Sequence, residues 1–282
     1  MSRAARPTLI LGGKGQLGKA LARQITGDVV AIGREQCDVT SRAQVEQVIG
    51  GLLPALTINC SAMTGVDLCE REPAAAGLAN AIAPGLIADA CRRHDSRMVQ
   101  ISTDFVFDGD AGRPYWEWDA TGPINTYGRT KLEGEELVAH HLPGALVIRT
   151  AWLFSDTSHG FLKWLQSQRT ANQLAVVNDC FGSPTAAADA AATIFQLARD
   201  RIAGTVHVVS GGDPASRFEM ATHAFEAMHP TVAVVPQAAA AFPRDAARPV
   251  NSSLSTHTLR SLGYPRLRDW RDALSETLKV NS

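Results

Sequence analysis

Thr8-Leu9-Ile10-Leu11-Gly12-Gly13-Lys14-Gly15-Gln16-Leu17-Gly18 sets a short apolar run directly against glycines spaced three apart. Thr8–Leu11 reads as a buried strand, and Gly15–Ile25, with Leu17, Leu21 and Ile25 at helical spacing, reads as a helix. Gly12, Gly15 and Gly18 form a G-x-x-G-x-x-G series at the junction. Such glycines let the chain turn sharply, let its backbone approach a pyrophosphate and let the helix pack on the strand. The helix start adds free N–H groups and the positive end of a dipole. A dinucleotide-binding turn built from Gly12, Gly15, Gln16, Leu17 and Gly18 is therefore expected. A P-loop is excluded, because no Gly-Lys-Ser/Thr follows at the required spacing.

Outward from this turn, short apolar runs alternate with amphipathic ones, the pattern of βαβ units and a parallel sheet. Strands are expected at Asp28–Ile32, Leu56–Cys60, Met98–Ser102, Ala145–Ile148, Leu174–Val177 and Thr205–Val209. Helices are expected at Ser41–Ile49, Ala74–Arg93 (interrupted at Pro84), Tyr127–His140, Phe161–Gln168 and Ala187–Arg199. Asp104–Asn125 is a long loop, and loops of that length are usually functional. Beyond Gly211 the alternation loosens into helices at Ser216–Met228, Ser255–Leu262 and Asp269–Lys279, around a proline-bearing segment, Pro230–Pro249. The expected fold is α/β: a Rossmann-type doubly wound parallel sheet with a smaller C-terminal substrate-binding lobe. Residues 1–150 would form the NAD(P)-binding domain. Residues 151–282 would form mainly the substrate lobe, interleaved with late strands and helices of the sheet.

Twenty-seven basic residues against 28 acidic ones leave a net charge of -1. That balance argues against nucleic acid or an anionic membrane as a partner. The five cysteines are odd in number, scattered, and form no C-x-x-C pair, which argues against a disulfide framework and a zinc site. No metal is expected. The run Leu9–Leu11 is too short for a secretory signal, and no apolar stretch approaches membrane-spanning length. A cytoplasmic protein, monomeric or homodimeric, is the expectation.

The second strand ends Ala31-Ile32-Gly33-Arg34, with no acid at its tip. An acid there would accept from the adenosine 2′-hydroxyl, whereas an arginine can pair with a 2′-phosphate. Arg34 thus favours NADPH over NADH, although it can equally be read as a solvated surface arginine. Asp38, followed by Val39, stands where a carboxylate could meet the adenine amino group or cap the next turn.

Tyr127-Gly128-Arg129-Thr130-Lys131 is a Y-x-x-x-K, which on a helix turns the phenol and the ammonium to one face. A phenol exchanges protons poorly near neutrality, and a neighbouring ammonium is expected to lower its pKa. The same lysine can hold the nicotinamide ribose. Upstream, Ser102-Thr103-Asp104 ends the fourth strand at the carboxyl edge where ligands bind in open α/β sheets. Thr103, Tyr127 and Lys131 are the candidate catalytic residues.

These segments resemble those of the dTDP-4-dehydrorhamnose reductases, within the extended short-chain dehydrogenases, through nearly the whole chain. Gly12–Gly18 is similar to the family's cofactor loop. Asn59-Cys60-Ser61-Ala62 with Thr64-Gly65-Val66-Asp67 is similar to its Asn-Ala-Ala-Ala…Thr-Ala-Val-Asp segment. The likeness continues through Ser102–Gly109, Pro123–Lys131, Arg149–Trp152, Asn178–Thr185 and Arg248–Ser252. The resemblance implies reduction, by NADPH or alternatively NADH, of the C4 carbonyl of dTDP-4-dehydro-β-L-rhamnose, giving dTDP-L-rhamnose. Tyr127 would protonate the alkoxide, Lys131 orient the ribose, and Thr103 fix the carbonyl oxygen. Ser61, Ala62 and Met63 would join the cofactor site. Thr103, Asp104, Phe105, Trp152 and Arg248 would meet the nucleotide sugar, Trp152 being alternatively a core aromatic and Arg248 alternatively structural. Met63 departs from the family's aromatic or histidine, Cys60 and Ser61 from its alanines, and Cys180 from its glutamine.

A dehydratase of the same superfamily would carry Asp-Glu after the threonine, and Phe105 stands where that glutamate would be. The remaining alternatives are a 4-ketoreductase for a sugar of different stereochemistry and a non-catalytic NADP-binding regulatory subunit.

Overall fold

A computed structural model describes residues 6–155, 160–228 and 232–279. Its centre is a six-stranded, wholly parallel sheet of β1 (Thr8–Leu11), β2 (Val29–Ile32), β3 (Leu56–Asn59), β4 (Arg97–Thr103), β5 (Leu146–Thr150) and β6 (Gly204–His207). The spatial order is β2-β1-β3-β4-β5-β6. Thr8 pairs with Val29 on one side and with Leu56 on the other, so the winding reverses at β1. A ligand crevice opens beside such a reversal, outside the carboxyl ends of the strands.

Alternation of side chains along the strands builds two cores. Ile10, Ile58 and Ile148 meet α1 (Gln16–Gln24) and the later helix Ala187–Arg199 on one face. Leu9, Leu11 and Met98 meet α2 (Arg42–Leu52), α3 (Pro73–Arg93) and α4 (Thr126–His141) on the other. Each such fully buried aliphatic side chain contributes about 1.5–3 kcal/mol relative to exposure. Ser41 caps α2, its hydroxyl accepting from the Gln44 amide at 3.4 Å. A separate cluster gathers Phe154, Leu165, Val176, Met220, Phe225 and Trp270 beyond the sheet's edge.

Three expectations need correction. Pro84 does not interrupt α3. The proline lacks the N–H that would reach the Asn80 carbonyl, and a π-helical turn at Leu78–Ile82 absorbs the defect, with the Ala83 amide bonded to the Leu78 carbonyl. That same 21-residue helix is, by length and a mean hydropathy of 1.3, apolar enough to cross a bilayer, contrary to the sequence reading. Here 56% of that stretch is buried within the protein. Lastly, the Pro230–Pro249 segment contains a strand, Ala233–Gln237, paired with Gln173–Val177. Pro236 is tolerated because this ribbon has only two strands, leaving one side of each without a ladder.

Candidate active site

The carboxyl ends of β1, β3, β4 and β5 converge on a cleft of about 590 Å³. Its cofactor side follows from the glycine turn. Gly12 has φ +77°, and a Cβ there would lie 2.7 Å from the Ser61 amide nitrogen. A Cβ on Gly18 would collide with the Gly12 carbonyl oxygen. Both positions thus require glycine, and the turn presses close to the segment leaving β3. No side chain caps α1 at Gly15, which leaves its first N–H groups facing the cleft that Gln16, Leu17 and Gly18 line.

At the end of β2, Arg34 is exposed and outside the cleft lining. Asp38 accepts from the Thr40 amide (3.0 Å) and hydroxyl (2.7 Å), bonds that hold its carboxyl below the usual range. Of its two readings, turn formation is the one these contacts carry. Val39 packs beside the core under α2. Glu35, one residue beyond Arg34, folds back over Gly33 and pairs with Lys14 of the glycine turn. The strand-tip reading had no acid reaching that turn.

Ala62 lines the cleft, whereas Ser61 and Met63 on either side of it lie outside that lining. Ser61 donates its amide and hydroxyl to Asn59. Asn80 holds Met63 at both ends, accepting from its amide (2.8 Å) and donating to its carbonyl (3.0 Å), while also reaching the Thr130 hydroxyl (3.3 Å). One buried amide therefore locks the Ser61–Met63 segment to α4, which carries Tyr127 and Lys131. Sequence reasoning missed it. The signal was a lone asparagine inside an alanine-rich helix, where it neither caps nor solvates.

Asn125 caps α4 by accepting from the Gly128 amide at 2.8 Å, and Glu70 accepts from the Thr126 amide at 2.9 Å. Gly128 lies so close to the Phe105 carbonyl that a Cβ would collide with it, which draws α4 against the end of β4. Tyr127, Lys131, Thr103, Asp104 and Phe105 then share the cleft wall. Burial pushes the Tyr127 phenol well above its usual value, against a hydrogen bond to Thr103 that lowers it; the charge of Asp104 adds to the rise. Burial also brings Lys131 down to about 8, with Glu135 opposing. Its ammonium donates to the Ile101 carbonyl at 2.6 Å. This corrects the expected electrostatics: Lys131 is not among the groups that lower the phenol, because burial dominates and the ammonium is engaged by the strand beneath.

Thr103 accepts from the Phe105 amide (3.2 Å) and donates to Asp104 (3.0 Å). Asp104, also bonded to Ser252, is raised to about 6 by burial. Beneath them Ser102 and Arg149 converge on Glu135, the Arg149–Glu135 pair being almost wholly enclosed at 2.7 Å. A pair of this kind is costly to break from one side, and it fixes α4 to β4 and β5.

Trp152 closes the opposite wall with φ +43°, a left-handed conformation uncommon for a non-glycine residue. Phe161 and Arg217, neither singled out in the sequence, complete that wall. Arg248 lies outside the cleft lining: its guanidinium pairs with Asp67 at 2.9 Å and donates to the Ala246 carbonyl, the structural alternative. Among the described residues no three His, Cys, Asp or Glu side chains stand together as a metal would require.

Known proteins with this arrangement span the whole chain. It is 38% identical over 275 residues to a Streptomyces antibioticus protein named a probable dTDP-4,6-dihydroxy-2-methyloxan-3-one 4-ketoreductase, covering 95% of this chain and 93% of that one. It is 36% identical over 282 residues to the dTDP-4-dehydrorhamnose reductase of Mycolicibacterium smegmatis, covering 97% and 85%. The dTDP-4-dehydrorhamnose reductase of Bacillus anthracis str. Ames, solved in complex with NADP, is similar with a TM-score of 0.95 and 32% identity over 99% of this chain and 100% of that one. Residues 6–282 match the family model described as the RmlD substrate binding domain, and this chain belongs to that family.

Proposed function

We propose that this chain is an NADPH-dependent oxidoreductase that reduces the C4 keto group of dTDP-4-dehydro-β-L-rhamnose to give dTDP-L-rhamnose. The observation that carries the reading is the placement of Thr103, Tyr127 and Lys131 on one cleft with the glycine turn, in a chain that aligns end to end with reductases of that name. The residues present fit a dinucleotide, since the start of α1, which no side chain caps, opens on the cleft through Gly15, Gln16, Leu17 and Gly18. Gly12–Gly18 would hold the pyrophosphate, Arg34 the 2′-phosphate, Val39 the adenine side, and Ala62 of the Ser61–Met63 segment with Lys131 the nicotinamide riboside. When bound, the cofactor supplies the hydride.

Thr103 orients the sugar carbonyl by donating its hydroxyl to the oxygen, exchanging its bond to Asp104 for one to substrate. Tyr127 delivers the proton to the same oxygen as it becomes an alkoxide. A phenol raised by burial is fully protonated at neutral pH and passes its proton readily only to a strongly basic acceptor, which an alkoxide is. Lys131, held by Ile101, orients the ribose. Asp104, Phe105 and Trp152 would bound the sugar, and residues after 150 would supply most of its lobe.

Oxidation of NADPH and NADH by dTDP-4-keto-6-deoxyglucose, with and without a 3,5-epimerase, tests this. Consumption that depends on the epimerase, with dTDP-L-rhamnose as product, is expected. Consumption without the epimerase would favour a 4-ketoreductase of other stereochemistry. No consumption despite NADPH binding would sink both and favour a regulatory subunit.

A further inference from the structure

We infer that Glu135, which lies outside the cleft lining, is a positioning residue for the reaction: it acts through Lys131, as the counter-charge that keeps the ammonium available to the nicotinamide ribose. The inference rests on the placement of Lys131 proposed above and adds a residue that touches neither cofactor nor substrate there. Positions 127, 131 and 135 stand four apart on α4 and share one face. Three successive residues of β4 engage them. Thr103 bonds the Tyr127 phenol, the Ile101 carbonyl accepts from the Lys131 ammonium at 2.6 Å, and the Ser102 hydroxyl donates to Glu135. Tyr127 and Lys131 reach the cleft, whereas Glu135 sits a turn further along the helix, 7% exposed.

A buried carboxylate is costly unless it is paired. Arg149 of β5 grips this one with Nε at 3.0 and 3.2 Å from its two oxygens and Nη2 at 2.7 Å from Oε2. Apolar side chains of similar volume often stabilise a fold as well as such a pair does, so stability alone does not account for it. Its location does. Lys131 is buried, and burial draws its ammonium toward the neutral amine. Two groups oppose that pull, Glu135 first and then Cys60 at the exit of β3. Burial pushes the Cys60 thiol up to about 12, which leaves it uncharged near neutrality. Tyr127 is likewise held as a neutral phenol, and the charge of Asp104 at the end of β4 bears on Tyr127. Arg149 is not among the groups that shift Lys131. Glu135 therefore supplies the negative charge that Lys131 feels. Its bonds to Arg149 and Ser102 fix that charge in place, and its dry surroundings strengthen the attraction.

The test is NADPH affinity by fluorescence from about pH 6.5 to 9.5 for wild type, Glu135→Gln and the double variant Glu135→Gln with Arg149→Met. Melting followed by circular dichroism is the control on folding. At about pH 6.5 all three should bind alike within about twofold, because Lys131 is charged in each. The alkaline decline, near pH 8 in wild type, should move down by about one pH unit in Glu135→Gln, where Arg149 is also left uncompensated. It should move down by less in the double variant. If Glu135→Gln does not fold, the double variant decides, since it buries no unpaired charge at this pair. A folded variant that keeps the wild-type decline, its affinity either unaltered or lowered equally at every pH, makes the pair purely structural. That result overturns the inference and leaves the placement of Lys131 standing. A flat profile in wild type removes Lys131 from the cofactor site and overturns both.

Discussion

The indole of Trp152 lies directly on the backbone of Gly182, where a Cβ would fall 2.6 Å from the ring nitrogen. The Arg217 guanidinium also lies over the ring, 3.8 Å from its centroid, and the Trp152 backbone sits in the left-handed region. Gly182 belongs to the short strand Phe181–Gly182, paired antiparallel with Ala215–Ser216, the step into the helix that carries Arg217. Trp152 is therefore positioned by segments some 30 and 65 residues further along, at the cost of a backbone conformation worth roughly 1–3 kcal/mol.

Gly182→Ala should displace the indole and lower kcat/KM for the nucleotide sugar by at least about tenfold, equivalent to about 1.4 kcal/mol. NADPH affinity should stay within about twofold of wild type, because neither residue touches the glycine turn. Unchanged kcat/KM in this variant would show that Trp152 plays no part in holding the sugar.

Tyr127→Phe removes the proposed proton donor and little else, since among the described residues the phenol hydroxyl bonds only Thr103. Turnover should fall by about 10²–10⁴-fold, with NADPH binding by fluorescence nearly unaltered. Retention of wild-type turnover would assign the proton to another group.

Lys131 titrates near 8 because burial disfavours its charge. The ammonium donates to Ile101 and to a ribose through charge-assisted bonds, which are stronger than those of the neutral amine. NADPH affinity should accordingly decline as pH rises through about 8, and Lys131→Met should bind more weakly but without that decline. A flat wild-type profile from about pH 6.5 to 9.5 would remove Lys131 from the cofactor site.

Asp104 gives a stability signature of the opposite kind. Its carboxyl is raised from 3.8 to about 6 by burial, so the fold prefers the protonated form. Stability from this group is fully present below about pH 4 and is lost as pH rises through about 6, a change of order 3 kcal/mol at most. Asp104→Asn mimics the neutral form. Urea midpoints should place it above wild type at pH 8 and level with wild type at pH 4. A variant less stable than wild type at pH 8 would mean that the bonds to Thr103 and Ser252 outweigh the burial cost.

Asn80→Ala leaves the Met63 amide without its partner and the Met63 carbonyl with only the weak Cys69 thiol donor at 3.4 Å. An orphaned amide costs about 1–3 kcal/mol, so unfolding free energy should fall by at least about 1 kcal/mol and NADPH affinity with it. Loss of stability with unchanged NADPH affinity would confine Asn80 to a role in the core.

The sequence made legible what is local. The glycine turn and the Y-x-x-x-K each lie within seven residues, and the strand–helix alternation around them is periodic. Thr103 was legible from its place at a strand end. What stayed hidden depends on pairs far apart in the chain: Asn80 with Met63 and Thr130, Glu135 with Arg149, Trp152 with Gly182 and Arg217. Arg217 fell where the alternation had loosened, and only packing against Trp152 and Phe161 distinguishes it from a surface arginine. Asp38 and Arg248 have side chains equally suited to ligand or backbone, and the nearby partners Thr40 and Asp67 engage them. Lys131 erred in the other direction: its spacing was read correctly, but a carbonyl from β4 decides where its charge is spent.

The π turn at Leu78–Ile82 carries one residue more than an α-helical turn would hold. The two halves of α3 are thereby phased independently, Pro73–Gly77 toward the helix Val66–Arg71 and Ala83–Arg93 toward the sheet and α2. Asn80 sits at the seam, its carbonyl spared by Pro84 and pressed against Gly134 of α4. Excising one residue from this turn would complete the ordinary hydrogen-bond ladder, yet swing one half about 100° around the axis relative to the other. Local regularity and the alignment of α4 are thus mutually exclusive here, and the chain keeps the irregular turn.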